Sequence, residues 1–111
     1  MIDYMIPKTP LVSFDDVLLT PQFSEVVSRS DVNTNSVLRK VGTLEIPIIS
    51  APMDTVTENV MATEMARAGG LGIIHRYNSI VEQVEMLQNS YGYVGAAIGA
   101  TGDYVERASV L

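Results

Sequence analysis

The sequence contains no cysteine among its 111 residues and few basic residues. Without cysteine, these residues can form neither a disulfide framework nor a thiolate metal site, and they hold no cysteine nucleophile. Seven lysines and arginines stand against 13 acidic residues, and the formal net charge is -6. This balance argues against nucleic-acid or anionic-membrane binding, because no basic cluster is present to neutralise phosphates.

Long hydrophobic runs are also absent. No apolar run approaches the roughly 20 residues of a membrane span. The N-terminal segment MIDYMIPKTP lacks the basic start and long apolar core of a signal peptide. We therefore expect a cytoplasmic protein with no membrane partner.

The composition is that of a core-rich globular chain, with 47% hydrophobic and 18% charged residues. We divide it at residue 45. Residues 1–45 hold one short apolar stretch, Val17 to Leu19, followed by a polar segment, and this pattern predicts an N-terminal arm with short strands. Residues 46–111 follow a regular strand-and-helix alternation.

Three strands and three helices are predicted within 46–111. The strands are IPIIS (46–50), predicted to be buried on both faces, then LGIIH (71–75) and YVGAAIG (93–99). The first helix is predicted over roughly Glu58 to Ala68, with its methionines as core filler and Gly69-Gly70 as its end. The second carries Ile80, Val84 and Leu87 on one face.

The starts of these helices carry capping signals. Residues 55–58 (TVTE) and 79–82 (SIVE) both fit the capping-box pattern. Asp54 is a further possible cap for the first helix, and Asp103 is predicted to cap a third helix that begins near Tyr104.

Three successive strand-helix units with short connections indicate an α/β fold with a parallel sheet. Two architectures remain open on periodicity alone: an open doubly wound sheet, or the first part of a (β/α)8 TIM barrel. An ordinary barrel needs about 250 residues, so three units would form an incomplete barrel. We expect such a chain to associate with the remainder of a barrel or with itself, because its sheet edges would stay unpaired.

Five stretches of the sequence, in order, identify a family resemblance: FDDVLLTPQFSEV-SRSDV, IPIISAPMDTVTE, MARAGGLGIIHR, SIVEQVE and VGAAIGATGD. The chain resembles the N-terminal part of the catalytic domain of inosine-5'-monophosphate (IMP) dehydrogenase and, less closely, GMP reductase. The resemblance covers nearly the whole chain. It implies the first three units of a (β/α)8 barrel after an extended N-terminal arm.

The resemblance also implies an activity. Family dehydrogenases oxidise IMP to xanthosine 5'-monophosphate with NAD, using a cysteine thiolate that adds to the purine and a potassium ion that orders the cysteine loop. Both the cysteine and the cation site are expected on later units. This chain would thus supply part of the IMP pocket and no catalytic residue, within an enzyme that forms tetramers.

The resemblance assigns two groups of site residues. Ser50, Ala51 and Met53 leave the carboxyl end of the first strand, where barrels place their active sites, and would contact IMP. Ala100 and Thr101 would lie near the adenosine half of NAD, with Ser28 of the arm as an outer cofactor contact. Without the resemblance, a plain strand-to-helix connection would account for the loop from Ser50 to Met53, and a tight strand-to-helix turn would account for Ala100 and Thr101.

His75 and Arg76 end the second strand. His75 could serve as a base or polar contact, or equally as a hydrogen-bonded structural histidine. Arg76 could meet an anion, but a solvated arginine is the interpretation we prefer.

One departure from the family pattern affects the choice of function. Family dehydrogenases usually carry a pair of CBS regulatory modules between the second helix and the third strand, and here SIVEQVEMLQNSYG runs directly into YVGAAIG. We expect no CBS-type nucleotide regulation, and GMP reductase stays open as an alternative. A non-catalytic βα protein that binds nucleotide or a partner is a further alternative.

Overall fold

The computed structural model describes residues 12–111, which fall into two units that divide between Val32 and Asn33. The whole segment MIDYMIPKTP, to which the signal-peptide expectation refers, lies outside the described residues, as does Leu11. Residues 12–32 are extended apart from two short 3-10 helices, Phe14–Asp16 and Arg29–Asp31. Every residue of this stretch is exposed, including the apolar Leu18 and Leu19.

The second unit begins with a β-hairpin. Strands β1 (Ser36–Leu38) and β2 (Gly42–Leu44) pair antiparallel. The connecting turn has a positive φ at Lys40 (71°) and at Gly42 (126°). Glycine adopts the positive φ at position 42 without strain. The short strand pair expected in residues 1–45 is therefore present, and it belongs to the second unit.

A parallel sheet and three helices follow the hairpin. The strands β3 (Ile49–Ser50), β4 (Leu71–Ile74) and β5 (Val94–Ala96) lie in the order β3-β4-β5. They alternate along the chain with α1 (Asn59–Arg67), α2 (Ile80–Gln88) and α3 (Tyr104–Val110). The predicted α/β alternation is confirmed. Within residues 12–111, no helix is both long and apolar enough to cross a membrane.

The first parallel strand is shorter and more exposed than predicted. Only Ile49 and Ser50 have strand geometry, although the Ile48 carbonyl still accepts a hydrogen bond from the Leu71 N–H at 3.1 Å. Ile48 and Ile49 are about half exposed, at 54% and 49%. The prediction of burial on both faces is wrong for this structure, because β3 is an edge strand that has a neighbour on one side only.

The core of the unit forms where α1 packs on β4. Ala62 and Ile74 are fully buried, and Gly72 lies directly under Ala62. A Cβ atom at Gly72 would stand only 2.4 Å from the Ala62 Cα, so only glycine permits this approach. Met61 lies on the outer side of α1 and is largely exposed, which corrects its assignment as core filler. The helix buries its alanine face because that face alone fits against the strand.

The capping predictions have different outcomes. The box at the start of α2 is confirmed: the Ser79 hydroxyl accepts from the Glu82 N–H at 3.2 Å, and the Glu82 carboxylate accepts from the Ser79 N–H at 2.8 Å. The box predicted at Thr55 is wrong, because α1 starts one turn later with Glu58 as its N-cap and residues 54–56 form a turn. The Asp54 carboxylate accepts instead from the adjacent Thr55 N–H at 2.9 Å.

The third helix is confirmed at Tyr104, and Asp103 occupies its N-cap position without a side-chain capping bond. Its carboxylate accepts from the Arg107 guanidinium, at 2.7 Å from Nη2 and 3.2 Å from Nε. Five residues, 89–93, connect α2 to β5. No CBS pair lies at this point of the chain.

Candidate functional site

The loops that follow the three parallel strands share one edge of the sheet, because the strands are parallel and their carboxyl ends point the same way. They comprise residues 51–58 after β3, 75–79 after β4 and 97–103 after β5. All predicted site residues of the second unit lie in or next to these loops. The predicted site residues of this unit therefore share one edge of the sheet.

The first loop is held by Thr57, which the sequence did not single out. Its side chain is fully buried, and Oγ1 lies 2.7 Å from the Ala51 carbonyl oxygen and 2.9 Å from the Ser50 Oγ. One hydroxyl proton cannot serve both bonds. Since a carbonyl only accepts, Thr57 donates to Ala51, and the Ser50 hydroxyl supplies the proton of the second bond.

Backbone hydrogen bonds complete the same loop. The Met53 carbonyl accepts from the N–H groups of Val56 (3.0 Å) and Thr57 (2.9 Å), and the Met53 N–H donates to the Ala51 carbonyl at 2.9 Å. Ala51 and Met53 remain exposed, whereas Ser50 is partly buried. The loop therefore has a fixed backbone and presents a thioether, a methyl group and a hydroxyl at the strand end.

His75 is almost fully buried at the end of β4. Its Nδ1 accepts from the Tyr77 N–H at 3.1 Å, and its backbone N–H reaches the Thr57 carbonyl at 3.4 Å. Since Nδ1 accepts, the proton of the neutral ring is on Nε2. Nε2 lies 3.6 Å from the Glu58 carboxylate, beyond hydrogen-bond distance, and has no hydrogen-bond partner among residues 12–111. A structural role accounts for most of these contacts.

A second buried group, Gln83, joins the other two loops. It is fully buried on α2, and its amide nitrogen donates to the carbonyls of His75 and Ala97, each at 2.9 Å. Its amide oxygen accepts from Arg107 Nη1 at 2.8 Å. Sequence reasoning missed this residue, because a glutamine on an amphipathic helix is usually solvated.

The loop after β5 is open and contains two residues with positive φ, Gly99 (76°) and Gly102 (72°). Ala100 and Thr101 between them are exposed. The exposed Arg76 places its guanidinium against Gly99, where an added Cβ would lie 3.1 Å from the Arg76 Cζ. Arg76 Cζ also lies 5.8 Å from the centre of the Tyr77 ring, within cation–π range. Arg76 thus borders the Ala100–Thr101 loop.

Two carboxyl groups near these loops are shifted towards the ionised form. The side-chain hydrogen bond from Arg107 is the main cause that lowers the pKa of Asp103. The Ser79 hydroxyl, followed by the Ser79 N–H, lowers the pKa of Glu82. Both groups are partners in structural hydrogen bonds, so their shifts point to fixed loop geometry.

The predicted site residues are only partly brought together. Ser50, Ala51 and Met53 form one ordered loop, but no hydrogen bond within residues 33–111 joins it to Ala100 or Thr101. Ser28 belongs to the first unit, where it caps the second 3-10 helix. There its Oγ lies 2.7 Å from the Ser30 Oγ.

A groove of about 450 Å³ lies between the later part of the first strand-end loop and the start of α1. Asp54, Val56, Glu58 and Met61 are among its lining residues, and neither Ser50 nor Met53 is. The part of these loops next to the strand ends is the better candidate site, because it combines fixed backbone groups with exposed polar and apolar side chains. They hold groups suited to binding and orienting a ligand.

Comparisons with known proteins identify the family of this chain. A family model described as the IMP dehydrogenase / GMP reductase domain matches residues 11–111. The chain is 57% identical over 76 residues to the inosine-5'-monophosphate dehydrogenase of Bacillus subtilis, covering 68% of this chain and 15% of that protein. It is 51% identical over 77 residues to a GMP reductase of Leishmania donovani, covering 69% of this chain and 16% of that protein.

A solved structure is also similar. The crystal structure of inosine 5' monophosphate dehydrogenase from Legionella pneumophila aligns with a TM-score of 0.76 and 40% identity. The alignment covers 87% of this chain and 30% of that one. The chain thus spans about 15% of the length of the curated relatives it matches. With the family model covering nearly all of the sequence, the chain belongs to the IMP dehydrogenase / GMP reductase family.

Proposed function

We propose that this chain acts within an IMP dehydrogenase, an oxidoreductase that converts IMP to xanthosine 5'-monophosphate with NAD in guanine nucleotide biosynthesis. Family membership and the similarity to dehydrogenases of several organisms support the proposal. The observation that carries it is the loop from Ser50 to Met53, which Thr57 holds in one conformation at the carboxyl end of β3.

The same proposal makes residues 46–111 the first three units of a (β/α)8 barrel, preceded by the arm of residues 1–45. In support, the three described strands are parallel and alternate with helices, and Ile48, Ile49 and Tyr93 expose apolar surface. Further strands beside β3 and β5 would cover this surface. The partners we propose are therefore the remainder of the barrel and, in the assembled enzyme, other subunits of a tetramer.

The IMP-facing role falls to Ser50, Ala51 and Met53. The Ser50 Oγ donates its proton to Thr57 in the arrangement derived above, so its lone pairs are free to accept a hydrogen bond from the nucleotide. The Met53 thioether is half-exposed and adaptable, which suits contact with a flat purine. The small side chain of Ala51 leaves space for the nucleotide between Ser50 and Met53.

The cofactor-facing role falls to Ala100 and Thr101, with Ser28 of the arm as an outer contact. Ala100 and Thr101 are small and exposed, and no atom lies within 4 Å of where a Cβ at Gly102 would stand, which supports the approach of a nucleoside. NAD, when bound, accepts the hydride taken from the purine. No residue of this chain is assigned to the potassium ion. A cytoplasmic location is part of the proposal, because IMP and NAD are soluble nucleotides.

The test is IMP binding to the full-length protein by calorimetry. Replacing Ser50 with leucine and Met53 with tryptophan together should weaken IMP binding by at least tenfold, because both side chains would fill the proposed contact surface. Met53→Trp alone serves where the double variant folds poorly, and Gln88→Trp, at the exposed end of α2, is the control. Unchanged IMP affinity in a folded Met53→Trp variant would count against the assignment.

GMP reductase is the second candidate. The 51% identity to the Leishmania donovani protein and the five-residue connection between α2 and β5 favour it. Rates measured with IMP and NAD, and separately with GMP and NADPH, distinguish the two. Formation of NADH in the first assay supports the dehydrogenase, whereas oxidation of NADPH in the second supports the reductase.

A further inference from the structure

A buried polar cluster links the last two strands to the helices behind them. Gln83 is its fully buried member and Arg107 is nearly so, and the more exposed Asn78 and Asp103 complete it. The carbonyl groups that Gln83 contacts belong to His75 and Ala97, which directly follow β4 and β5. The cluster therefore acts on the two points at which these strands become loops.

Every polar hydrogen of the cluster's two central side chains has an acceptor. The five N–H groups of Arg107 match five contacts: two to Asp103, two to Asn78 and one to Gln83, between 2.7 and 3.3 Å. Both amide hydrogens of Gln83 are used as well. A buried network this complete has one geometry, because any displacement leaves a buried group unpaired.

Arg107 also fixes which way the Gln83 amide faces. A guanidinium can only donate, so the amide oxygen must face Arg107 and the amide nitrogen must face the two carbonyls. The reverse orientation would place N–H against N–H and oxygen against two oxygens. Gln83 therefore bridges β4 and β5 through one rigid group.

We propose that Gln83, oriented by Arg107, is a positioning residue that sets the loops after β4 and β5, and with them the cofactor side of the site. This rests on the proposed function for the assignment of Ala100 and Thr101 to NAD. The loop from Ser50 to Met53 is held separately by Thr57 and has no hydrogen bond to Gln83. The two sides of the site thus have different side-chain supports, which meet only through the backbone of His75, whose N–H reaches the Thr57 carbonyl at 3.4 Å.

Two substitutions of Gln83 test the proposal in the full-length protein. Gln83→Met keeps the length of the side chain and removes all three hydrogen bonds. Gln83→Glu keeps the bond from Arg107 but turns an oxygen towards the carbonyls of His75 and Ala97. Gln88→Met and Gln88→Glu, at the exposed end of the same helix, are the matched controls.

The expected result is a rise in the KM for NAD of about fivefold or more, with the KM for IMP within twofold of the parent protein. Hydrogen exchange at the amides of residues 98–103 should accelerate in both Gln83 variants and stay unchanged in the Gln88 controls. A role in general stability would instead move both KM values together.

Three outcomes would overturn the proposal. The first is a folded Gln83 variant with an unchanged KM for NAD and unchanged exchange in residues 98–103. The second is an equal rise in both KM values. The third is failure of both variants to fold, which would assign Gln83 to the stability of the whole unit. If the parent protein has no dehydrogenase turnover, the proposed function fails, and hydrogen exchange alone decides whether Gln83 positions these loops.

Discussion

Replacing Thr57 with valine removes one buried hydroxyl and keeps almost everything else at that position. Both side chains are β-branched and have similar backbone preferences. The backbone bonds of Thr57 to Met53 and His75 can persist, while the contacts of Oγ1 to Ala51 (2.7 Å) and Ser50 (2.9 Å) are lost. The substitution therefore isolates the support of the loop from the fold around it.

The size of the effect follows from these two contacts. A neutral hydrogen bond contributes about 0.5–1.5 kcal/mol, and the methyl group that replaces the hydroxyl offsets part of the loss. We expect the free energy of unfolding to fall by about 1–2 kcal/mol. If IMP binds only to the ordered loop, the same free energy appears as a loss of IMP affinity of about five- to thirtyfold.

The assay combines urea unfolding with IMP calorimetry on the full-length protein. Thr55→Val is the matched control, because Thr55 lies in the same loop and is exposed. It should change IMP affinity by less than twofold. A Thr57→Val protein that binds IMP as tightly as its parent while losing stability would refute the idea that this loop contacts the nucleotide.

Three further predictions concern stability, pH and catalysis. Gly72→Ala should lower the free energy of unfolding by about 1–3 kcal/mol in a denaturant titration, since its Cβ would overlap Ala62; a stability equal to the parent's would show that α1 can move away. Ser79 lowers the pKa of Glu82 in the folded protein below its usual value of 4.5. Ionised Glu82 therefore makes its full contribution to the free energy of unfolding above pH 4.5, and this contribution disappears as the pH falls through the folded pKa. Glu82→Gln should accordingly flatten the thermal stability profile between about pH 7 and pH 3, and an unaltered profile would exclude this source of acid sensitivity. The 111 residues alone, given IMP and NAD, should form no NADH above the blank because they contain no cysteine, and turnover from them alone would contradict a cysteine-dependent reaction.

Local sequence determined the elements of the second unit. Gly69, which adopts a φ of 85°, ended the first helix where predicted, and Ser79 with Glu82 began the second. These signals act over a few residues, so the sequence alone was enough to read them. The alternation of three strands with three helices was predicted from the same kind of local pattern, as was the edge of the sheet that carries the loops.

Contacts between distant residues were not predictable in this way. The helix α1 starts near Glu58 as predicted, but the capping box at Thr55 does not form, because residues 54–56 make a turn and Thr57 is buried with its hydroxyl on the Ala51 carbonyl. The exposure of Ile48 and Ile49 likewise depends on which strands lie beside them.

The buried cluster around Gln83 is the clearest case. Gln83 and Arg107 are 24 residues apart, and each is a common solvent-facing residue on its own helix. Only the parallel order of β4 and β5 brings their helices together and gives the glutamine two strand-end carbonyls to bond. The sequence by itself determined the strands, the helices and the edge at which the loops emerge. The tertiary structure decided which polar side chains hold those loops, because burial and hydrogen bonding depend on neighbours that are far away in the chain.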